Sequence, residues 1–79
     1  MRVRIISVEY LDGTPKEKRI WGDERFIGKL VIGRPLLLEY TDHSKCRVTT
    51  PILACAKEGN MIEVQTKNSI YKLEAMEEK

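Results

Sequence analysis

Residues 61–75 read MIEVQTKNSIYKLEA, and this stretch decides the fold. Residues 62–65 alternate apolar and polar side chains, which is the two-residue period of a half-buried strand. The alternation returns after Lys67-Asn68, so the sequence predicts two antiparallel strands joined by a two-residue turn. We expect Asn68 to enter positive φ there, as a primed hairpin turn demands. Pairing across this hairpin would gather four apolar side chains into one cluster: Ile62, Val64, Tyr71 and Leu73.

The residues before this hairpin continue the same meander. Glu58-Gly59-Asn60 is a second turn signal, so the run from Ile52 to Ala56 is expected to pair with the first hairpin strand. A separate short strand is expected over residues 46–50. Pro51 cannot donate a hydrogen bond to a ladder, so it predicts a corner or an edge between these two runs.

The first forty residues supply the remaining strands. In the opening strand the apolar positions change parity near Ile5-Ile6, which predicts a β-bulge that bends the strand and restores one buried face. A second strand is expected over residues 26–32, interrupted by Gly28, and a third over residues 36–40.

Residues 14–25 form the charged, irregular part of the chain, and two interpretations compete. The run from Thr14 to Glu17 matches a capping box with proline at the first helical position, so one short helical turn over residues 15–21 is one expectation. The segment is short and mostly polar, so an irregular loop is the other. Either arrangement would present four side chains together: Lys16, Lys18, Arg19 and Trp21.

These elements predict an all-β protein, a small antiparallel barrel of five or six strands. An SH3-like barrel is the first choice and an OB-like barrel the second. We expect one domain over residues 1–75 and a frayed polar tail over residues 76–79. A single core of this size supplies only about 3–5 kcal/mol of net stability, which a closed barrel or an oligomer would raise.

Composition and charge exclude several classes of protein. The chain has 79 residues, of which 42% are hydrophobic and 33% charged, and this is too apolar for disorder. No apolar run approaches the roughly 18 residues that span a bilayer, and the first residues do not look like a signal peptide, so we expect a cytoplasmic protein with no membrane contact. The net charge of +2 is too small to indicate nucleic-acid binding by itself.

Two runs resemble those of a known group of proteins. Residues 32–36 read IGRPL, and residues 64–73 read VQTKNSIYKL, with Thr49-Thr50 upstream. These runs resemble small bacterial and phage proteins of unassigned function, in which an IG-x-P-L strand and a terminal V-x-T-x-N-S-x-Y-x-L hairpin build a short SH3-like barrel. The resemblance covers residues 26–73 and implies a fold but no catalytic residue.

His43, Cys46 and Cys55 are the residues most suited to metal or nucleophilic chemistry. With Asp42 they would make four zinc ligands, but structural zinc sites usually carry paired ligands on two knuckles. Cysteines in strands behave as small hydrophobic residues, so we expect buried free thiols and neither metal nor cofactor, although neighbouring strands would allow a disulfide. An enzyme is not indicated, because the sequence shows no convergent set of nucleophile, base or metal ligands.

A tryptophan surrounded by cations is the stronger functional candidate. Trp21 in a polar loop matches the composition of protein interfaces and also of stacking platforms for single-stranded nucleic acid. The competing interpretation is that Trp21 folds back as a lid over the open end of the barrel. The predicted binding residues are Lys16, Lys18, Arg19, Trp21, Arg25 and Lys29.

The sequence therefore predicts a small non-enzymatic interaction module. It would bind another macromolecule, most simply a protein, through residues 14–25 and an exposed strand edge, as a phage-type or accessory protein that binds or inhibits its partner. A homo-oligomer is compatible with this prediction. Two alternatives stay open: single-stranded nucleic-acid binding through Trp21 and the cations around it, and a sponge for a small nucleotide held between subunits.

Overall fold

Six strands pair in sequence order and close into a barrel. The computed structural model describes residues 1–41 and 45–76. The strands are β1 (Arg2–Tyr10), β2 (Glu24–Ile27), β3 (Pro35–Tyr40), β4 (Cys46–Glu58), β5 (Met61–Thr66) and β6 (Ser69–Ala75), and one 3₁₀ helix, η1, spans Lys18–Ile20. All pairs are antiparallel, and β1 pairs with β6 to close the sheet. The predicted small all-β barrel is confirmed, and its sequential order lacks the Greek-key connection of the OB-like alternative.

Alternation of buried and exposed residues sets the register of the β5–β6 hairpin. The four predicted apolar residues pair across the strands and are buried. The expected positive φ at Asn68 is wrong, because Glu17 is the one described residue other than glycine with that conformation. The turn is therefore not a primed one, and the buried face holds the register without it. The pairs are Ile62 with Leu73 and Val64 with Tyr71.

The predicted bulge in β1 is confirmed at Ile6. The register against β6 shifts between Ile5 and Ser7. Ile5 and Val8 are consequently both buried, while Ile6 is 39% exposed. β1 pairs with β6 on both sides of the bulge, from Val3 to Tyr10, and with β2 only before it, from Arg2 to Arg4.

β4 is one strand where the sequence predicted two. It runs for 13 residues through Pro51. The strand pairs with β3 as far as Pro51 and with β5 from Ile52 onward, so the predicted corner is a change of partner within a continuous strand. A register shift between Ile52 and Ala54 adds a bulge at Leu53.

β2 is shorter than the apolar run predicted. It ends at Ile27, and residues 28–34 form the β2–β3 loop. Gly28 therefore ends the strand and does not interrupt it. All six strands and η1 contribute to the core, and burial of each large apolar side chain stabilises the fold by about 1.5–3 kcal/mol. The core residues are Val3, Ile5, Val8, Ile20, Ile27, Leu36, Leu38, Ile52, Ile62, Val64, Tyr71 and Leu73.

The first and last described residues are hydrogen bonded to neighbouring strands. The Ile27 N–H donates to the Met1 carbonyl at 2.8 Å. The Met76 N–H donates to the Arg2 carbonyl at 2.9 Å. The rest of the expected tail, residues 77–79, lies outside the described residues.

Candidate functional site

Residues 14–23 lie along the outer edge of β1, and we call them the cover segment. The sequence predicted a loop or one short helical turn here, and the segment is irregular apart from the 3₁₀ turn η1, with four backbone hydrogen bonds to β1. The cover segment thus supplies the partners that an edge strand would otherwise lack. The bonds run from Lys16 N–H to Val8 O (2.8 Å), Tyr10 N–H to Thr14 O (2.9 Å), Ile5 N–H to Asp23 O (2.8 Å) and Gly22 N–H to Ile5 O (2.6 Å).

The capping box predicted at Thr14 does not form. The Thr14 hydroxyl and backbone N–H donate to the Asp12 carboxylate at 2.7 and 3.0 Å. Pro15 bridges to Glu9, so the backbone is extended where the first helical turn was expected, and the single 3₁₀ turn follows in η1. The Thr14 hydroxyl and N–H lower the pKa of the Asp12 carboxyl below its ordinary value of 3.8.

Trp21 is half-buried and packs against the core. Its indole Nε1–H donates to the Lys16 carbonyl at 3.0 Å, and the Lys18 ammonium lies 6.0 Å from the ring centroid. This placement favours the interpretation of Trp21 as a lid, because the polar atom of the indole is already bonded within the chain.

The other predicted binding residues are not brought together. The Lys16 ammonium donates to the Ser69 hydroxyl at 2.6 Å and lies 5.1 Å from the Tyr10 ring centroid. Lys18 and Arg19 are exposed at η1. Lys29 is exposed in the β2–β3 loop, where it lines a different hollow.

Arg25 is buried and does not lie on the surface beside Trp21. It is 7% exposed and pairs in register with both Val3 and Tyr40. Its guanidinium lies 3.9 Å from the Tyr40 ring centroid and donates to the Asp23 carboxylate at 2.9 Å and to the Glu24 carbonyl at 3.0 Å. The ion pair and the aromatic face compensate for the burial of its charge.

Arg47 reaches the same end of the barrel from β4. It pairs in register with the fully buried Leu38, and opposed residues of an antiparallel pair share a face, so Arg47 lies on the core side of its strand. Arg19 and Ile20 from η1 complete the wall of an open hollow of about 300 Å³. We call it the arginine hollow, and its lining is Arg19, Ile20, Asp23, Arg25, Tyr40 and Arg47.

Glu17 connects two of these arginines. Its carboxylate is hydrogen bonded to Arg47 and lies 3.9 Å from the Arg19 guanidinium. Burial opposes the charge of Arg47, but hydrogen bonds with Glu17 and Tyr71 outweigh it and raise the pKa of the guanidinium. Glu17 has a φ of 52°, in the left-handed region, which costs a residue with a Cβ about 1–2 kcal/mol. Such strain concentrates at functional sites.

The second half of β4 is paired on one side only. β5 bonds to it from Ile52 to Glu58, whereas β3 pairs no further than Pro51. On the side that faces β3, Ile52 is the final residue of β4 with backbone hydrogen bonds to a described residue, and both go to the β2–β3 loop. Gly33 N–H donates to Ile52 O (2.8 Å), and Ile52 N–H donates to Arg34 O (2.9 Å). Beyond Ile52 no described residue pairs with this side. We call residues 53–58 the open edge.

Apart from the bulge at Leu53, the first four residues of the open edge carry none of the devices that usually protect an edge strand, and Lys57 and Glu58 follow them. Proteins blunt such edges with lysine, proline, inward charges or a covering loop. Residues 53–56 read LACA, so the first charge appears at Lys57. All six residues of the open edge are exposed, and Leu53 is 55% exposed. Small side chains leave the backbone N–H and C=O groups accessible to another strand.

An apolar surface continues from the open edge onto β3. Leu37 and Val48 are direct cross-strand partners that are 48% and 62% exposed, and Pro35 pairs with Pro51 beside them. The β2–β3 loop adds Ile32, which is 59% exposed. We call this surface the apolar face.

The expectation of buried thiols is wrong, because both cysteines are free and exposed. Cys55 shares a face with the buried Val64, but β4 extends beyond the core at that point. Cys46 lies nine residues away along the same strand, a separation of about 30 Å, whereas a disulfide needs Cα atoms within about 7 Å. His43 and Asp42, the other candidate zinc ligands, lie outside the described residues.

Sequence reasoning predicted an exposed strand edge without saying which strand carries it, and it did not place Tyr40 or Arg47 at a site. The two-residue period of a strand could have predicted one residue of the arginine hollow. Arg25 stands two residues before the buried Ile27 and therefore lies on the same, inward face of β2. No local signal could have found the open edge, because it depends on where β3 stops pairing with β4.

Comparison of the chain with protein-family models, curated proteins and solved structures finds no match. Over residues 1–41 and 45–76, no three His, Cys, Asp or Glu side chains lie close enough to hold a metal ion. The same part of the chain contains no helix long and apolar enough to cross a membrane. Function is therefore inferred from geometry.

Proposed function

We propose that this protein is a small non-enzymatic interaction module that binds an extended segment of another polypeptide at the open edge. The observation that carries this proposal is the run of exposed, uncharged residues in β4 whose outer side pairs with no described residue. In β-strand addition, backbone hydrogen bonds to such an edge give affinity and side-chain contacts give specificity. The SH3-like class, a cytoplasmic location and a phage-type or inhibitory role are compatible with this function and stay predictions.

The surroundings of the open edge define the ligand. Six residues accept about 20 Å of added strand. At one end the strand would meet Leu53 and the apolar face, and at the other Lys57 and Glu58. We therefore propose a ligand strand with apolar side chains at one end and polar ones at the other.

Single-stranded nucleic-acid binding through Trp21 is less well supported. The indole is half-buried and its N–H is bonded to Lys16, so stacking on a base would require the cover segment to move. The predicted cations do not line one surface beside the ring, because Lys16 is bonded to Ser69 and Lys29 lines a different hollow. A platform for nucleic acid needs exposed rings and accessible cations.

Two neighbouring proline substitutions test strand addition. In an antiparallel ladder the N–H groups of adjacent residues point to opposite sides, so Cys55→Pro and Ala56→Pro each remove a different donor. One removes a β4–β5 bond and lowers the Tm, and the other removes a donor of the open edge. Against peptides selected from a random library on the immobilised protein, we expect the variant that keeps the wild-type Tm to bind about tenfold more weakly. Unchanged binding by that variant would contradict the proposal.

The two exposed cysteines provide a matched control. A bulky maleimide on Cys55, in the Cys46→Ser variant, would cover the open edge and abolish peptide binding. The same reagent on Cys46, in the Cys55→Ser variant, would leave binding unchanged. If the unlabelled protein is a dimer that the Cys55 adduct converts to a monomer, the strand that binds is a second copy of this chain. Equal effects of the two adducts would rule out the open edge as the site.

A further inference from the structure

The arginine hollow breaks the inside-outside pattern of the barrel. Arg25 and Arg47 occupy core-side positions beside Ile27 and Leu38, where the pattern calls for apolar residues. A charge at such a position is costly unless it is paired, and proteins break local rules of this kind mainly at functional sites. The open edge does not include any residue of the hollow, so the two sites are separable.

The hollow carries an excess of positive charge and unused donors. Its three arginines face two carboxylates, Asp23 in the wall and Glu17 beside it. Arg25 uses two of its N–H groups, on Asp23 and on the Glu24 carbonyl. Arg19 has an 80% exposed side chain, and among the described residues its ion pair is with Glu17 at 3.9 Å, which is longer than a hydrogen bond. Its guanidinium is therefore available to an anion from solution.

We propose that the arginine hollow binds the phosphate group of a small phosphorylated molecule. The planar fork of a guanidinium matches two oxygens of a phosphate, and three such groups converge here from η1, β2 and β4. Its volume of about 300 Å³ is at the lower end of the range for small-molecule sites, which is about 300–1,000 Å³. Ile20 and Tyr40 supply an apolar wall for the rest of the molecule.

Glu17 acts as an internal anion at this site. Its carboxylate lies between Arg19 and Arg47, where a ligand phosphate would compete with it. A second hollow of about 160 Å³ shares Arg47 and is lined by Lys16 and three threonines, which extends the polar surface beyond the phosphate position.

Titration by NMR with inorganic phosphate and with adenosine 5′-monophosphate tests the proposal. We expect saturable shifts of the backbone amides of Arg19, Arg25 and Arg47. Arg19→Ala should weaken phosphate binding about tenfold, because it removes charge-assisted hydrogen bonds from an exposed side chain that the fold does not need. The matched control is Lys29→Ala, which removes an exposed cation outside the hollow and should leave the affinity within about twofold.

Glu17→Gln should strengthen phosphate binding, whereas Arg19→Ala weakens it. It removes the competing carboxylate, so phosphate should bind more tightly than to the wild type. Because ligands that bind only the folded state stabilise it, phosphate should also raise the Tm of this variant more than that of the wild type. A purely structural role for Glu17 predicts a lower Tm and no gain in affinity.

The two probes separate the sources of the phosphate. Tighter binding of the mononucleotide supports a small molecule that also contacts Ile20 and Tyr40, and equal binding supports free phosphate as the ligand. The proposal is overturned if neither probe gives saturable shifts at the three arginines, or if Arg19→Ala and Lys29→Ala weaken binding equally. Binding seen only with single-stranded oligothymidylate, and growing with its length, would also overturn it.

Discussion

The outer edges of β1 and β4 can be compared, because each strand loses a pairing partner on one side and bulges shortly after that point. β1 pairs with β2 as far as Arg4 and bulges at Ile6, and β4 pairs with β3 as far as Pro51 and bulges at Leu53. Beyond the bulge, the cover segment bonds to β1, whereas no described residue bonds to the same side of β4. β1 keeps β6 on its other side throughout, whereas β4 exchanges β3 for β5 at Pro51, so the two edges differ in pairing as well as in cover.

The connecting loops account for the difference. The β1–β2 connection includes the whole cover segment and turns back along β1 from Thr14 to Asp23. The β2–β3 loop, residues 28–34, reaches β4 only at Ile52. A loop long enough to cover β4 would have removed the proposed binding site.

The largest expected effect is the difference in the free energy of unfolding between a substitution at a buried residue of β1 and one at an exposed residue of β4. Ile5→Ala, at a side chain that is 1% exposed, should cost about 3–4 kcal/mol in the free energy of unfolding. Leu53→Ala, at a side chain that is 55% exposed, should stay within about 0.5 kcal/mol. Urea denaturation followed by Trp21 fluorescence measures both. A comparable loss at Leu53 would mean that the open edge is buried by another copy in solution.

A smaller effect is expected from the anchor of the cover segment. Trp21→Ala removes half-buried contacts with the core and should cost about 2 kcal/mol. Trp21→Phe keeps a ring but loses the donor to the Lys16 carbonyl, and should cost about 1 kcal/mol. Amide exchange of Lys16 and Gly22, which bond to β1, should accelerate in both variants while β4 is unaffected. Uniform acceleration along the chain would instead indicate that Trp21 supports the whole barrel.

Alanine substitutions at two glycines would compare the backbone strain of the cover segment with that beside the open edge. Gly22 in the cover segment has a φ of 87° and Gly59 beside the open edge a φ of 58°, and a Cβ on either would meet no atom. The loss of stability in each alanine variant is therefore set by the steric strain of its backbone conformation alone. Gly22→Ala should cost about 2 kcal/mol and Gly59→Ala about 1 kcal/mol, because only the second lies within the usual left-handed region. The reverse order of the Tm values would contradict these turn conformations.

The smallest expected effect is a pH dependence at the start of the cover segment. The hydrogen bonds from Thr14 lower the pKa of Asp12 in the folded state, so their stabilisation is full above the ordinary pKa of 3.8 and is lost as the pH falls through the lowered value. Asp12→Asn should therefore lower the Tm slightly at neutral pH and not at all once the pH is below that value. A difference in Tm that does not change on acidification would show that the ionised carboxyl is not involved.

Local patterns predicted the parts of the barrel whose partners are close in sequence. The β5–β6 hairpin and the bulge at Ile6 both follow from two-residue alternation, which the chain carries within a few residues. The long β4 was not predictable in the same way, because Pro51 suits both a strand end and a change of partner, and the choice depends on where β3 lies.

Long-range contacts also explain why the candidate site was only partly predicted. Arg19 was placed correctly on the surface, but the burial of Arg25 requires Tyr40 from another strand. The exposure of Cys55 also depends on contacts between strands. Its partner on β5, Val64, is buried, but β4 extends past the core at Cys55. Composition and spacing do not carry this information.

The closure of the barrel by β1 and β6 imposes an order on folding during synthesis. β1 is made first, and its ladder with β6 pairs Val3 with Ala75. That ladder has to wait until the last strand has left the ribosome, whereas the β4–β5–β6 meander needs only neighbouring residues. Contacts between distant residues slow folding because the chain between them must first be brought together. In the nascent chain the edge of β1 facing β6 is therefore also without its partner.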